Sequence, residues 1–214
     1  MEKYIKSKDD VIKNPTIIKR VLEEIFNIIT REYNLCKNYQ KRAFFHGKAF
    51  QAFFEVLMHI LFPEIRLLHD CKIIGACFTE GSEADFVVID QDNRILAIIE
   101  TKGSASYIKC NESLEELKRP GLIRTDTVKK AICNAVQTKF GISNDVLYII
   151  VTSHKPKEGT SSDCMLRLVI GKLVDMVVDI TDYTELERMV KLIRSKSPPN
   201  IVYDPNRGHI VNQP

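Results

Sequence analysis

Two segments, Ala84-Asp85-Phe86-Val87-Val88-Ile89 and Ile95-Leu96-Ala97-Ile98-Ile99-Glu100-Thr101, are apolar at nearly every position instead of at alternate ones. A strand that is apolar on both faces has to be covered on both. Between the two segments stands Asp90-Gln91-Asp92-Asn93, a run of turn-forming residues. The pattern predicts two neighbouring strands, residues 84–89 and 95–101, joined as a hairpin inside a sheet with helices above and below.

The rest of the chain supplies those helices. Asn14-Pro15 reads as a helix start, since Asn caps and Pro suits the first turn. From there Ile17, Ile18, Val21, Leu22, Ile25, Phe26 and Ile29 recur at helical spacing to about Asn34. A second helix is expected over 40–61, stopping before Pro63. Residues 67–78 read as a strand, bent at Gly75, with Gly81-Ser82 as punctuation. Residues 104–124 read as a polar connection with a short helix over 113–118. Further on, helices are expected over 127–140, 163–173 and 184–195, and strands over 146–152 and 176–180. Residues from Lys196, rich in Pro and Asn, read as a tail or arm. The expected order, α-α-β-β-β-α-β-α-β-α, describes a three-layer α/β/α fold with a central mixed sheet preceded by N-terminal helices. Length allows one such domain, 1–196, with helices in 15–62, a core in 65–195, and a tail in 197–214.

No apolar run reaches the roughly 18 residues of a membrane-spanning helix. The charged N-terminus does not read as a secretory signal. The expected location is intracellular, in the cytoplasm. Six cysteines, at 36, 71, 77, 110, 133 and 164, include no CxxC pair, which argues against a structural zinc site. Free thiols and disulfides both stay open.

The net charge of +3 is too mild to establish a nucleic-acid partner. Its distribution says more. Lys37, Lys41, Arg42 and Lys48 follow one another with no acid between, among Tyr39, Phe44 and Phe45. From Lys102 to Lys139 there are eight basic and four acidic residues. Each segment faces either phosphates or plain solvent.

Charges inside apolar strands are costly unless they serve something. Alternation puts Glu100 and Lys102 on one face and Thr101 on the other, and the hairpin brings Asp85 alongside Glu100. Two adjacent carboxylates repel unless a cation lies between them. An oxygen-only donor set suits Mg²⁺ or Mn²⁺. Such an ion polarises phosphoryl oxygens and acidifies water, while Lys102 orients that water or meets the charge developing at phosphorus. The helix over 40–61 carries Lys48, Gln51, Glu55 and His59 as a polar stripe. A phosphate loop, a GxSxG elbow and an HExxH motif are all lacking.

Asp85 followed at hairpin distance by Glu100-Thr101-Lys102, with the Gly81-Ser82-Glu83-Ala84 lead-in and the Ile-rich second strand, resembles the PD-(D/E)XK nuclease superfamily. Ala84 stands where that pattern often has Pro. The size and helix order are similar to archaeal Holliday-junction resolvases and to nucleases of archaeal viruses, whose setting would be the cytoplasm of an infected host. The resemblance covers roughly residues 45–155. It implies a restriction-endonuclease-like fold, catalysis by Asp85, Glu100, Lys102 and Glu55, and metal ligation by Asp85, Glu100 and Glu55. It also implies cleavage of double-stranded or branched DNA leaving a 5′-phosphate, by a homodimer with no membrane partner; a sequence-specific restriction-type endonuclease, or a DNA-binding protein of the same fold without turnover, is the alternative. Lys41, Arg42, Lys48 and Ser104 are the residues expected to contact DNA. Gln137, Ser82, Glu83, His154 and Lys155 are weaker neighbours of the site, and His46 and His59 read as packing or surface residues.

Overall fold

The computed structural model describes residues 4–73, 83–110, 113–205 and 208–212. The bend expected at Gly75, residue Cys77 and the Gly81-Ser82 punctuation lie outside them. Three helices come first: α1 (Lys8–Lys13), α2 (Ile17–Glu32) and α3 (Tyr39–Leu61). The first was not foreseen. It gives Asn14 a different part from the one expected, because Asn14 closes α1 and Thr16 precedes α2. The stripe of α2 is buried as its spacing requires, through Ile17, Ile18, Val21, Leu22 and Phe26. Asn38 caps α3 by accepting from the Lys41 amide at 2.9 Å.

Then follow β1 (Arg66–Ile73), β2 (Glu83–Ile89) and β3 (Ile95–Lys102), antiparallel in sequence. In the turn between β2 and β3, Asp90 Oδ1 accepts from the amides of Asp92 and Arg94, and Asn93 has φ 60°. Helix α4 (Thr125–Gly141), β6 (Leu147–Thr152), α5 (Ser161–Val169), β7 (Met176–Asp179) and α6 (Tyr183–Ser195) continue the chain. Strand β6 runs parallel to β3, and β7 parallel to β6.

Two stretches differ from expectation. Residues 113–118 are not helical: β4 (Tyr107–Cys110) and β5 (Ser113–Glu116) form a separate two-stranded sheet. A disulfide between Cys36 and Cys110 ties that small sheet to the α2–α3 connection. The residues beyond Lys196 also carry structure, with β8 (Ile201–Asp204) antiparallel to β9 (His209–Asn212) and β9 parallel to β1. The main sheet therefore reads β7-β6-β3-β2-β1-β9-β8. It is mixed, as expected, and longer by two strands than the sequence suggested.

Helices cover both faces. One face of β2, β3 and β6 presents Phe86, Val88, Ile99 and Ile149 to α1, α2, α3 and α6. The other presents Val87, Ile98, Tyr148 and Ile150 to α4 and α5. This is the three-layer α/β/α architecture. Helix α4 is anchored by Lys139, whose buried ammonium donates to Val146 O at 2.6 Å and Asp175 Oδ2 at 2.8 Å. No helix of the described residues is long and apolar enough to cross a membrane.

Candidate active site

The β2–β3 ladder pairs Val87 with Ile98 and Phe86 with Ile99. One step beyond stand Asp85 and Glu100. Asp85 Oδ2 accepts from both the amide and the hydroxyl of Thr101, each at 2.7 Å. Its other oxygen accepts from Gln51 Nε2 of α3 at 2.7 Å. Across the sheet, β1 pairs with β2 on either side of this point, and Asp70 there has φ 50°, a conformation Asp tolerates better than most residues.

Glu100 is held from the opposite layer. Asn134 Nδ2 of α4 donates to its two oxygens at 3.1 and 3.2 Å, and the Tyr148 hydroxyl of β6 donates to Oε2 at 3.1 Å. Lys102 forms an ion pair with Glu100 Oε1, and its ammonium also donates to Thr101 O at 3.2 Å. The sheet end thus gathers an aspartate fixed by α3, a glutamate fixed by α4, and a lysine joined to the glutamate.

Burial sets the electrostatics. It pushes the Asp85 carboxyl above its ordinary range, Lys102 opposes that rise, and Glu100 adds to it. Burial also pulls the Lys102 ammonium down, but Glu100 and Asp85 more than offset this and leave it above the usual lysine value. The Tyr148 phenol, buried and against Glu100, is held well above its ordinary value and stays a donor.

This cluster opens on a cleft of about 320 Å³ that Gln51, Asp85, Thr101 and Lys102 line, with Lys48 and Arg124 as further basic walls. Two glycines let the chain come this close. A Cβ on Gly103 would overlap the Phe50 ring. Gly121 has φ 55°, and a Cβ there would lie 2.8 Å from Thr152 Oγ1. The Gly121 amide donates to Ser104 Oγ at 3.0 Å.

Of the residues expected at the site, Asp85, Glu100 and Lys102 come together. Glu55 does not line the cleft: Gln51, one turn earlier on α3, occupies the place facing Asp85. Gln137 does not line it either, and Asn134 is the α4 residue that reaches Glu100. Lys48 and Ser104 line the cleft, Lys48 lying 3.6 Å from Asp70. Arg42 lies farther along, donating to Leu35 O and Cys36 O, while Lys41 lies over Phe45. Glu83 is exposed at the start of β2, and Ser82 lies outside the described residues. His154 bonds Ser106 and Ser153, and Lys155 pairs with Glu185. His59 is exposed, whereas His46 is fully buried. Gln51, Asn134, Tyr148 and Thr101 had no assigned role in the sequence reading. Only Gln51 left a signal there, as a member of the polar stripe.

Among the described residues no group of three or more His, Cys, Asp or Glu side chains forms a ready metal cage. The oxygen donors present are the two carboxylates, Thr101 O and the Gln51 amide oxygen. One or two carboxylates with water in the remaining positions is a set that Mg²⁺ accepts. Burial, with a smaller contribution from Glu100, raises Asp85, and a cation beside the two carboxylates would oppose that rise as Lys102 does. The residues therefore fit a hydrated divalent ion, with Asp85 and Glu100 as its protein ligands.

No family model matches the chain, and no curated protein matches it. Among solved structures, it is similar to the restriction endonuclease PspGI in complex with substrate DNA, at 20% identity and a TM-score of 0.49. That match covers 92% of this chain and 75% of the other.

Proposed function

We propose that this chain is a divalent-metal-dependent DNA endonuclease that hydrolyses phosphodiester bonds. The observation that carries the reading is the convergence of Asp85, Glu100 and Lys102 at one sheet end beside a cleft with basic walls. Neither folding nor solubility calls for that grouping, because each member loses hydration on burial.

Asp85 and Glu100 would hold Mg²⁺ or Mn²⁺, which when bound supplies a polarised phosphoryl oxygen and an acidified water. The remaining work belongs to the chain. Thr101 and Gln51 fix the Asp85 carboxylate, and Asn134 and Tyr148 fix Glu100, so neither ligand has to reorganise as charge develops. Lys102, charged at neutral pH, donates to the attacking water or to a non-bridging phosphate oxygen. Lys48 and Arg124 on the cleft walls meet flanking phosphates. A two-fold dimer would present two such sites for paired cuts in opposite strands.

The test is cleavage of linear, flapped and four-way-junction DNA in Mg²⁺, Mn²⁺ or EDTA, beside Glu100→Gln. Metal-dependent cutting that the variant loses is expected. Preference among the three substrates separates a branch-directed enzyme from one that reads a linear site. Binding without cutting in any metal would reassign the chain to DNA binding without turnover.

A further inference from the structure

The catalytic cleft continues into a second one of about 300 Å³, the two sharing Ala43, Ser104 and Arg124. The second is walled by the first turns of α3 and by the segment after β5. Among the described residues its lining includes four basic ones, Arg42, Lys118, Arg119 and Arg124, and no acidic one. Apart from Ser104, its other surfaces are planar or apolar. Tyr39 is 51% exposed, with the guanidinium carbons of Arg124 and Arg42 5.1 and 5.8 Å from its ring centroid. Leu117 and Pro120 supply the apolar part.

His46 also lines this cleft and is fully buried. One ring nitrogen is spoken for, Nε2 lying 2.9 Å from Thr30 Oγ1, and the ring stacks on Phe26 at 4.8 Å. The other, Nδ1, has no hydrogen-bond partner among the described residues. A buried polar atom left unpaired is costly and calls for an explanation. Here the atom belongs to a side chain that borders a cleft.

We propose that the second cleft receives an unpaired nucleobase of the strand whose phosphate lies at Asp85 and Glu100. The inference rests on the nuclease reading for the presence of that strand. Phosphates alone would account for the basic rim. They would not account for Tyr39 and two guanidiniums, all planar groups that stack on a base, nor for an unpaired, buried ring nitrogen on His46, a side chain that borders the cleft. A base held in a Watson–Crick pair cannot enter, so the cleft favours DNA with an unpaired nucleotide near the cut, as at a flap, a bulge or a junction.

The experiment is direct binding in metal-free buffer, read by anisotropy and by 2-aminopurine fluorescence. The probes are a fully paired duplex, the same duplex with one unpaired 2-aminopurine, and the single strand carrying it. The wild-type chain is expected to prefer the two unpaired probes and to change their 2-aminopurine signal. Tyr39→Ala should lose about tenfold on those probes and keep its affinity for the paired duplex. His46→Phe, which keeps the ring and removes the nitrogens, should show the same selective loss. Tyr39 is exposed, so the first variant stands alone if the second does not fold. Equal affinity for all three probes, or a Tyr39→Ala loss shared by the paired duplex, would overturn the proposal. Selective binding with no cleavage in any metal would sink the nuclease reading and leave the cleft assigned. Cleavage without selectivity would do the reverse.

Discussion

Gln51 of α3 and Asp85 of β2 meet side chain to side chain at 2.7 Å, so the phase of one helix sets the orientation of the proposed catalytic aspartate. The remaining bonds of Asp85 go to Thr101, and removing the amide leaves one partly buried oxygen without its donor. Gln51→Ala should lower unfolding free energy by about 1–2 kcal/mol in urea titrations. It should also slow cleavage more than Glu55→Ala does. Equal rates for the two variants would return the role on α3 to Glu55.

Glu100 is better probed with glutamine than with alanine. Alanine would strand the Lys102 ammonium and the Tyr148 hydroxyl, and breaking a buried ion pair costs about 3–5 kcal/mol by itself. Glu100→Gln should keep its melting temperature close to that of the parent and lose at least about 100-fold in metal-dependent cleavage. Lys102→Ala should lose a similar factor while divalent-ion affinity, measured calorimetrically, is kept. A near-normal rate in either variant would remove that residue from the proposed chemistry.

Much of the sheet was legible because its inner strands are buried on both faces and so carry long apolar runs. Asp85, Glu100 and Lys102 stood out as charges interrupting those runs. The small hairpin was not legible. All four residues of β5 are exposed, so no alternation marks it, and Glu115, Glu116 and Lys118 read as helix formers. Its strand conformation is decided by pairing with β4 and by β4 packing on α2. Short strand β9 likewise gains its state from β1, and β8 from β9. At the site, the spacing within α3 revealed a stripe but not which turn of it meets the sheet, and that selects Gln51 over Glu55. Alternation assigns the Thr101 side chain to the face opposite Glu100 but gives it no part in the site; Asp85, which lies beyond the last β2–β3 pair, takes both its amide and its hydroxyl.

His46 gives the protein a weakness in acid. Burial, with a smaller contribution from Arg42, lowers its pKa from 6.5 to about 4. The unfolded chain binds this proton first, so stability is complete above about pH 6.5, falls as pH drops from there, and levels off below about pH 4. The shift corresponds to about 3 kcal/mol. Chemical denaturation at pH 7.5 and pH 4.5 should show a fall that His46→Phe reduces. An unchanged pH profile in that variant would remove His46 as its source.

Gly103 is a packing contact as much as a turn. Gly103→Ala sets a methyl group against the Phe50 ring beside Lys102. The expected cost is about 1–3 kcal/mol, with cleavage reduced although no polar group is lost. A melting temperature equal to the parent's would show that Phe50 yields freely.

The Cys36–Cys110 bond should contribute up to about 4 kcal/mol if it acts by constraining the unfolded chain over its span of 74 residues. Cys36→Ser compared with the parent in oxidising buffer measures it, and reduced parent should match the variant. A parent no more stable than Cys36→Ser would assign the bond no part in holding the fold.

That bond has another consequence. Gln51, Asp85, Glu100 and Lys102 all lie between residues 36 and 110, within a closed covalent ring of main chain and sulfur. A protease that severs the backbone once anywhere from Lys37 to Lys109 opens the ring without dividing the molecule. Both pieces of a nicked chain stay linked until the sulfurs are reduced, even where the cut falls between Gln51 and Lys102 and divides the site between them.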